Sequence, residues 1–111
     1  MDFIERRLAQ ARPEAMTNTT IYTVPVNKKT IVRGIIACNT TSAPINIRIF
    51  IVPDGGNPSP ENAIFYDYEI FENFTYSKTL YLILNSKDSI VVYVSSKGIT
   101  FTISGAELTE S

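Results

Sequence analysis

The chain has 111 residues, 44% hydrophobic and 19% charged, with a net charge of -1, one cysteine and no histidine. That length supports one domain, and the apolar share argues against disorder. The composition excludes an imidazole base, a His-activated nucleophile and an imidazole or multi-cysteine metal site, and a near-neutral balance leaves no electrostatic footprint for nucleic acid.

In chain order, residues 2–11 are expected to form a short helix or arm. Asp2 is a cap residue, Glu5 follows three positions later as in a capping box, and Ile4, Leu8 and Ala11 fall at i, i+4 and i+7. Pro13 ends the run. About ten residues are too few for an isolated helix in water, so this segment must dock, either on its own domain or on a neighbouring subunit. The start lacks the apolar stretch of a signal peptide, Asp2 occupies the place of a myristoylated glycine, and no apolar run approaches the ~20 residues of a membrane span. Folding in a cytoplasm, with no membrane partner, is the expectation.

From Thr20 the hydrophobic period becomes two. Thr20–Val24 reads as a first strand. Lys29–Cys38 reads as a second, with Val32, Gly34, Ile36 and Cys38 on one face and Ile31, Arg33, Ile35 and Ala37 on the other. After the turn residues 39–44, Ile45, Ile47, Ile49 and Ile51 share a face opposite Asn46 and Arg48. A Pro/Gly loop, 53–60, leads to Ala63–Ile70, where Ile64, Tyr66, Tyr68 and Ile70 alternate with Phe65, Asp67 and Glu69. Tyr76–Leu84, the alternation Ile90/Val92/Val94 and the alternation Ile99/Phe101/Ile103 complete seven strands. One sheet cannot bury so many apolar faces, whereas two stacked antiparallel sheets can. The expected fold is all-β: a single antiparallel β-sandwich, jelly-roll-like or immunoglobulin-like, with a closed small barrel as the alternative. The expected organisation is an arm (1–16), a β-sandwich domain (17–108) and a polar tail (109–111).

Charge is segregated along the chain. Residues 1–48 carry seven basic and three acidic groups, net +4; residues 49–111 carry three basic and eight acidic groups, net -5. Two opposed patches would suit head-to-tail contacts between copies, unless the fold interleaves the two halves.

The candidate chemical sites are weak. Cys38 lacks a thiolate-stabilising neighbour and reads as a core residue. Asp67 and Glu69, two apart on a strand, resemble a hydrolytic carboxylate pair only if a cleft surrounds them; a solvated or subunit-facing surface explains them better. Asp54, Asn57, Glu61 and Asn62 do not match a calcium-loop pattern, and Gly55-Gly56 reads as a turn rather than a phosphate cradle. The Asn-x-Thr triplets at Asn18, Asn39 and Asn73 read as turn chemistry rather than glycan acceptors. Seven of the twelve aromatics fall between residues 65 and 81, which points to core plus protein interface; with no Trp, a glycan platform is the weaker reading.

Residues 8–13 (LAQARP), 21–25 (IYTVP), 36–40 (IACNT), 48–50 (RIF), 53–55 (PDG), 65–67 (FYD) and 101–107 (FTISGAE), in that order and spacing, together resemble a family of small virion proteins of tailed bacteriophages. The resemblance implies a structural β-domain of the virion and carries no catalytic residue to transfer; from the residues themselves no metal and no cofactor is expected. It leaves open capsid decoration, where the chain would bind the major capsid protein and its own copies as a homo-oligomer such as a trimer, or a tail or neck position. Assembly would take place in the host cytoplasm. A glycan- or host-surface-binding module is the alternative from another class. The interface residues expected are Ile4, Arg6, Arg7, Leu8 and Arg12 in the arm, then Tyr66, Asp67, Tyr68 and Glu69.

Overall fold

The computed structural model describes residues 3–109, with side chains from Glu5 onward. Among the described residues there are eight strands: β1 (Phe3–Ala11), β2 (Thr19–Thr23), β3 (Lys28–Asn39), β4 (Ile45–Val52), β5 (Ala63–Ile70), β6 (Thr75–Leu84), β7 (Ser89–Val94) and β8 (Ile99–Thr109). One 3-10 turn, Pro60–Asn62, precedes β5. The strands form two four-stranded antiparallel sheets, β1-β8-β3-β6 and β2-β7-β4-β5. Consecutive strands from β1 to β8 mostly alternate between sheets, which is the eight-stranded jelly roll. The fold is thus an all-β sandwich, as the alternating pattern requires. The immunoglobulin order and the closed barrel are set aside by the strand order and by the two separate sheets.

The expected helix is a strand. Residues 3–11 pair along β8 from Phe3 opposite Leu108 to Ala11 opposite Phe101. An isolated ten-residue helix has little stability of its own, whereas β8 presents an eleven-residue ladder edge that a strand can satisfy. Helical spacing at Ile4, Leu8 and Ala11 is mimicked because the β1–β8 register shifts between Arg7 and Ala9, so Leu8 is an extra residue. Leu8 and Ala9 both pack on the core. Asp2, the expected cap, lies outside the described residues.

The core lies between the sheets. Val32, Ile35, Phe101 and Ile103 from one sheet meet Ile47, Ile49, Ile90 and Val92 from the other, all essentially free of solvent. Two bulges change the faces expected from simple alternation. In β3 the register against β8 shifts between Val32 and Gly34, so Arg33 is extra. Val32 therefore points inward together with Ile35 and Ala37, while Ile36 and Cys38 turn outward. Cys38 is half-buried and not a core residue, with the Thr75 hydroxyl 3.4 Å from its sulfur. In β5 the left-handed Asp67 (φ 54°) sits in a second shift, between Phe65 and Tyr68. Four loops gather at one end of the sandwich, residues 12–18, 40–44, 71–74 and 95–98, and the 24–27, 53–62 and 85–88 loops lie at the other.

Candidate interaction surface

A buried polar knot fastens the N-terminal strand. Glu107 of β8 is 7% exposed and faces inward. Its carboxylate accepts from Arg6 Nη1 of β1 at 3.2 Å and from the Tyr22 hydroxyl of β2 at 2.5 Å. Thr30 Oγ1, fully buried on β3, lies 2.8 Å from the same phenol oxygen. The phenol proton is engaged on the carboxylate, so Thr30 donates to Tyr22. Burial, and then the bond to Glu107, pushes the Tyr22 phenol up to about 12. Every buried polar group here has a partner, as a dry interior demands.

The outer face of the second sheet carries an arginine held on three sides. Arg48 Nε and Nη2 grip the Asp67 carboxylate at 2.6 and 3.2 Å. Its guanidinium lies over the Tyr66 ring at 4.3 Å and the Tyr93 ring at 4.6 Å. The Arg48 bonds hold the Asp67 carboxyl below its ordinary range. Left-handed backbone at Asp67 is what aims the carboxylate at Arg48, a conformation Asp tolerates better than most residues.

The side between β5 and β6 is sealed by aromatics. Phe65 stacks on Tyr68 at 5.6 Å, and Tyr76 meets both rings, at 5.8 and 4.9 Å. Above this seam, the 71–74 turn exposes Phe71 and Phe74, and its backbone is hydrogen-bonded to the 39–41 segment. Asn39 donates from Nδ2 to the carbonyls of Ala43 and Ile70, and its Oδ1 accepts from Thr41 N and Oγ1. Asn73 N donates to Thr41 O, and Asn39 N to Phe74 O. Asn39 is thus a buried turn organiser. Among the described residues Met16, Val26, Tyr81 and Ile83 are also strongly exposed apolar side chains, with Met16 at 72% and Tyr81 at 62%, and Ile36, Tyr66 and Tyr68 are exposed to a lesser degree.

The residues expected at an interface are dispersed. Arg6 is drawn to Glu107, Leu8 to the core, and Arg12 Nη2 to Thr40 Oγ1 at 3.2 Å. Arg7 is exposed on the outer face, level with Ser104. Of Ile4, only the backbone, opposite Glu107, is described. Tyr66 and Tyr68 do not share a face: Tyr66 edges onto Phe50 outside, while Tyr68 joins the seam. Asp67 is taken by Arg48, and Glu69 is exposed opposite Asn46. No three His, Cys, Asp or Glu gather as a cation site among the described residues; Asn62 instead braces its loop, donating to Asn57 O and accepting from Ser59 N. Sequence reasoning missed Glu107, and it placed Phe71 and Phe74 within the 65–81 aromatic cluster without separating them from its core members. A lone acid inside the otherwise apolar β8 pattern was the available signal for Glu107.

No protein-family model matches this chain, and no curated protein matches it either. Solved structures do. One is a chain of Bacillus endospore appendages, described as a family of disulfide-linked pili, with 13% identity and a TM-score of 0.62 over 98% of this chain and 89% of that one. Another is from the structure of infectious bursal disease virus, Gx strain, with 10% identity and a TM-score of 0.51 over 96% of this chain and 30% of that one. This chain therefore spans about a third of the viral protein. At these identities the likeness is one of fold.

Proposed function

We propose that this chain is a non-enzymatic structural subunit of an assembled particle, specifically a bacteriophage virion protein that decorates or cements the capsid. The observation that carries the reading is a jelly roll presenting apolar side chains outward from hydrogen-bonded backbone: Phe71 and Phe74 on a turn, and Tyr81 and Ile83 on an edge strand. Isolated exposed apolar residues are ordinary, but grouped ones on an ordered scaffold mark contact surface. The likeness to a pilus component and to a virus structure supports a building block, and the phage-like sequence segments favour a virion. The mechanism is shared burial: neighbours are tied together through contacts and no bond is made or broken.

The test is placement. A tagged copy, expressed during infection, is located by electron microscopy on purified particles. Label spread over the shell is the expected outcome. Label at one vertex or along the tail moves the assignment to a tail or neck component. Label absent from particles, together with binding to host polysaccharide, replaces it with the surface-binding module.

A further inference from the structure

We infer that copies of this chain dock side by side in one orientation, the β1/β2 side of one copy against the β5/β6 side of the next. The inference deepens the structural-subunit reading and rests on it. Each sheet has four antiparallel strands, so its two edge strands run in opposite directions. A second copy in the same orientation brings its β1 antiparallel to β6 and its β2 antiparallel to β5. Both ladders then continue into the neighbour at once. β6 is ten residues long, has no Pro and only Lys78 as a charge, and its register against β3 shifts between Thr79 and Leu82, as that of β1 against β8 shifts at Leu8, so the two edges would pair in segments on either side of these shifts. An edge that long and that apolar is a template for another strand. Cross-strand rows set the level. Arg7, Ser104, Gly34 and Thr79 lie in one row, so Arg7 of the next copy comes opposite Thr79. In the neighbouring row Lys78 meets Ala9 and not an arginine.

The side chains agree with the strands. Loop 12–18 joins β1 to β2, and loop 71–74 joins β5 to β6, at the same end and on opposite sides. The first exposes Arg12, Met16 and Glu14, whose carboxylate is paired with Lys97; the second exposes Glu72, Phe71 and Phe74. Level docking brings opposite charges and apolar groups together. Two-fold contacts do the reverse: the β1/β2 side against itself sets Arg7 near Arg7, and the β5/β6 side against itself gathers the Glu69 and Glu72 carboxylates. The shortest extent of the molecule is 19 Å. A ten-residue edge of ~34 Å by that thickness buries on the order of 1,200 Å² in total, the lower bound for a specific interface. A heterologous contact of this kind closes into a ring or continues as a filament.

Two full-length variants, R7C and T79C, each in a C38S background, test the contact. They are purified separately, mixed, mildly oxidised and run on a non-reducing gel. A dimer band in the mixture, absent from either variant alone, is the expected result. The R7C/T79C double variant should give a ladder of higher species. Bands of equal strength in one variant alone indicate a two-fold contact and overturn the inference. So does a mixture that links at none of T79C, S77C and Y81C. Missing links with tagged protein still found on particles remove only this contact, whereas absence from particles removes the structural role itself.

Discussion

Gly105 shows how closely single positions are set. A Cβ there would lie 2.0 Å from the Ile31 carbonyl oxygen and 3.1 Å from the Val32 Cα, because the Arg33 bulge presses β3 onto β8. Backbone cannot step aside as a flexible side chain can, so G105A is expected to cost at least ~2 kcal/mol. Gly55 has positive φ but nothing within 4 Å of a built Cβ, so G55A should cost only ~1 kcal/mol, from backbone strain alone. Urea midpoints of the two variants check the contrast. Tyr22 supplies a pH signature. Its phenol, ordinarily near 10.0, is held up to about 12 in the fold, so the folded chain keeps its proton longer than the unfolded one. The stabilisation is complete below about pH 10 and is lost as pH climbs towards 12. Urea titrations across that window should show a falling midpoint, with a shallower fall in Y22F.

At the scale of elements, β1 is the informative strand. It closes one edge of its sheet, contributes Leu8 and Ala9 to the core and brings Arg6 to a carboxylate that is otherwise buried. Deleting residues 1–12 should therefore cost stability as well as any contact with a neighbour: at least ~3 kcal/mol, from lost core packing and from loss of the Arg6 partner of Glu107, whose carboxylate keeps only the Tyr22 hydroxyl. An unchanged unfolding midpoint would show β1 to be peripheral to the fold. The seven later strands were legible because period-two alternation survives in any half-buried strand. β1 was not, because its bulge spaces apolar residues as a helix does, and because its partner β8 lies about a hundred residues away in sequence. The same cause misplaced Cys38, Tyr66 and Tyr68. One extra residue in β3 or β5 inverts every face beyond it, and nothing local announces the insertion.

For the whole molecule, segregation of charge along the sequence does not survive folding intact. Arg6–Glu107, Arg48–Asp67 and Lys97–Glu14 each join the basic half to the acidic half. Arg7 and Arg12 remain exposed on one side, with Glu69 and Glu72 on the other. The exposed phenylalanines fit the same division. On the decoration reading, F71S/F74S should reduce the copies retained per purified particle while the chain still folds, at a stability cost of ~2 kcal/mol because each ring is only about half exposed. Retention equal to wild type would show that this turn bears on no neighbour.

The alternation of apolar and polar residues by itself determined that the chain is a two-layer β protein, since each strand's buried face is written in its own residues. Strand order, the bulges and the knot at Glu107 were decided only by tertiary structure. Each depends on which distant strand supplies the hydrogen bonds, and backbone donors and acceptors are alike at every residue, so no side-chain pattern names their partner.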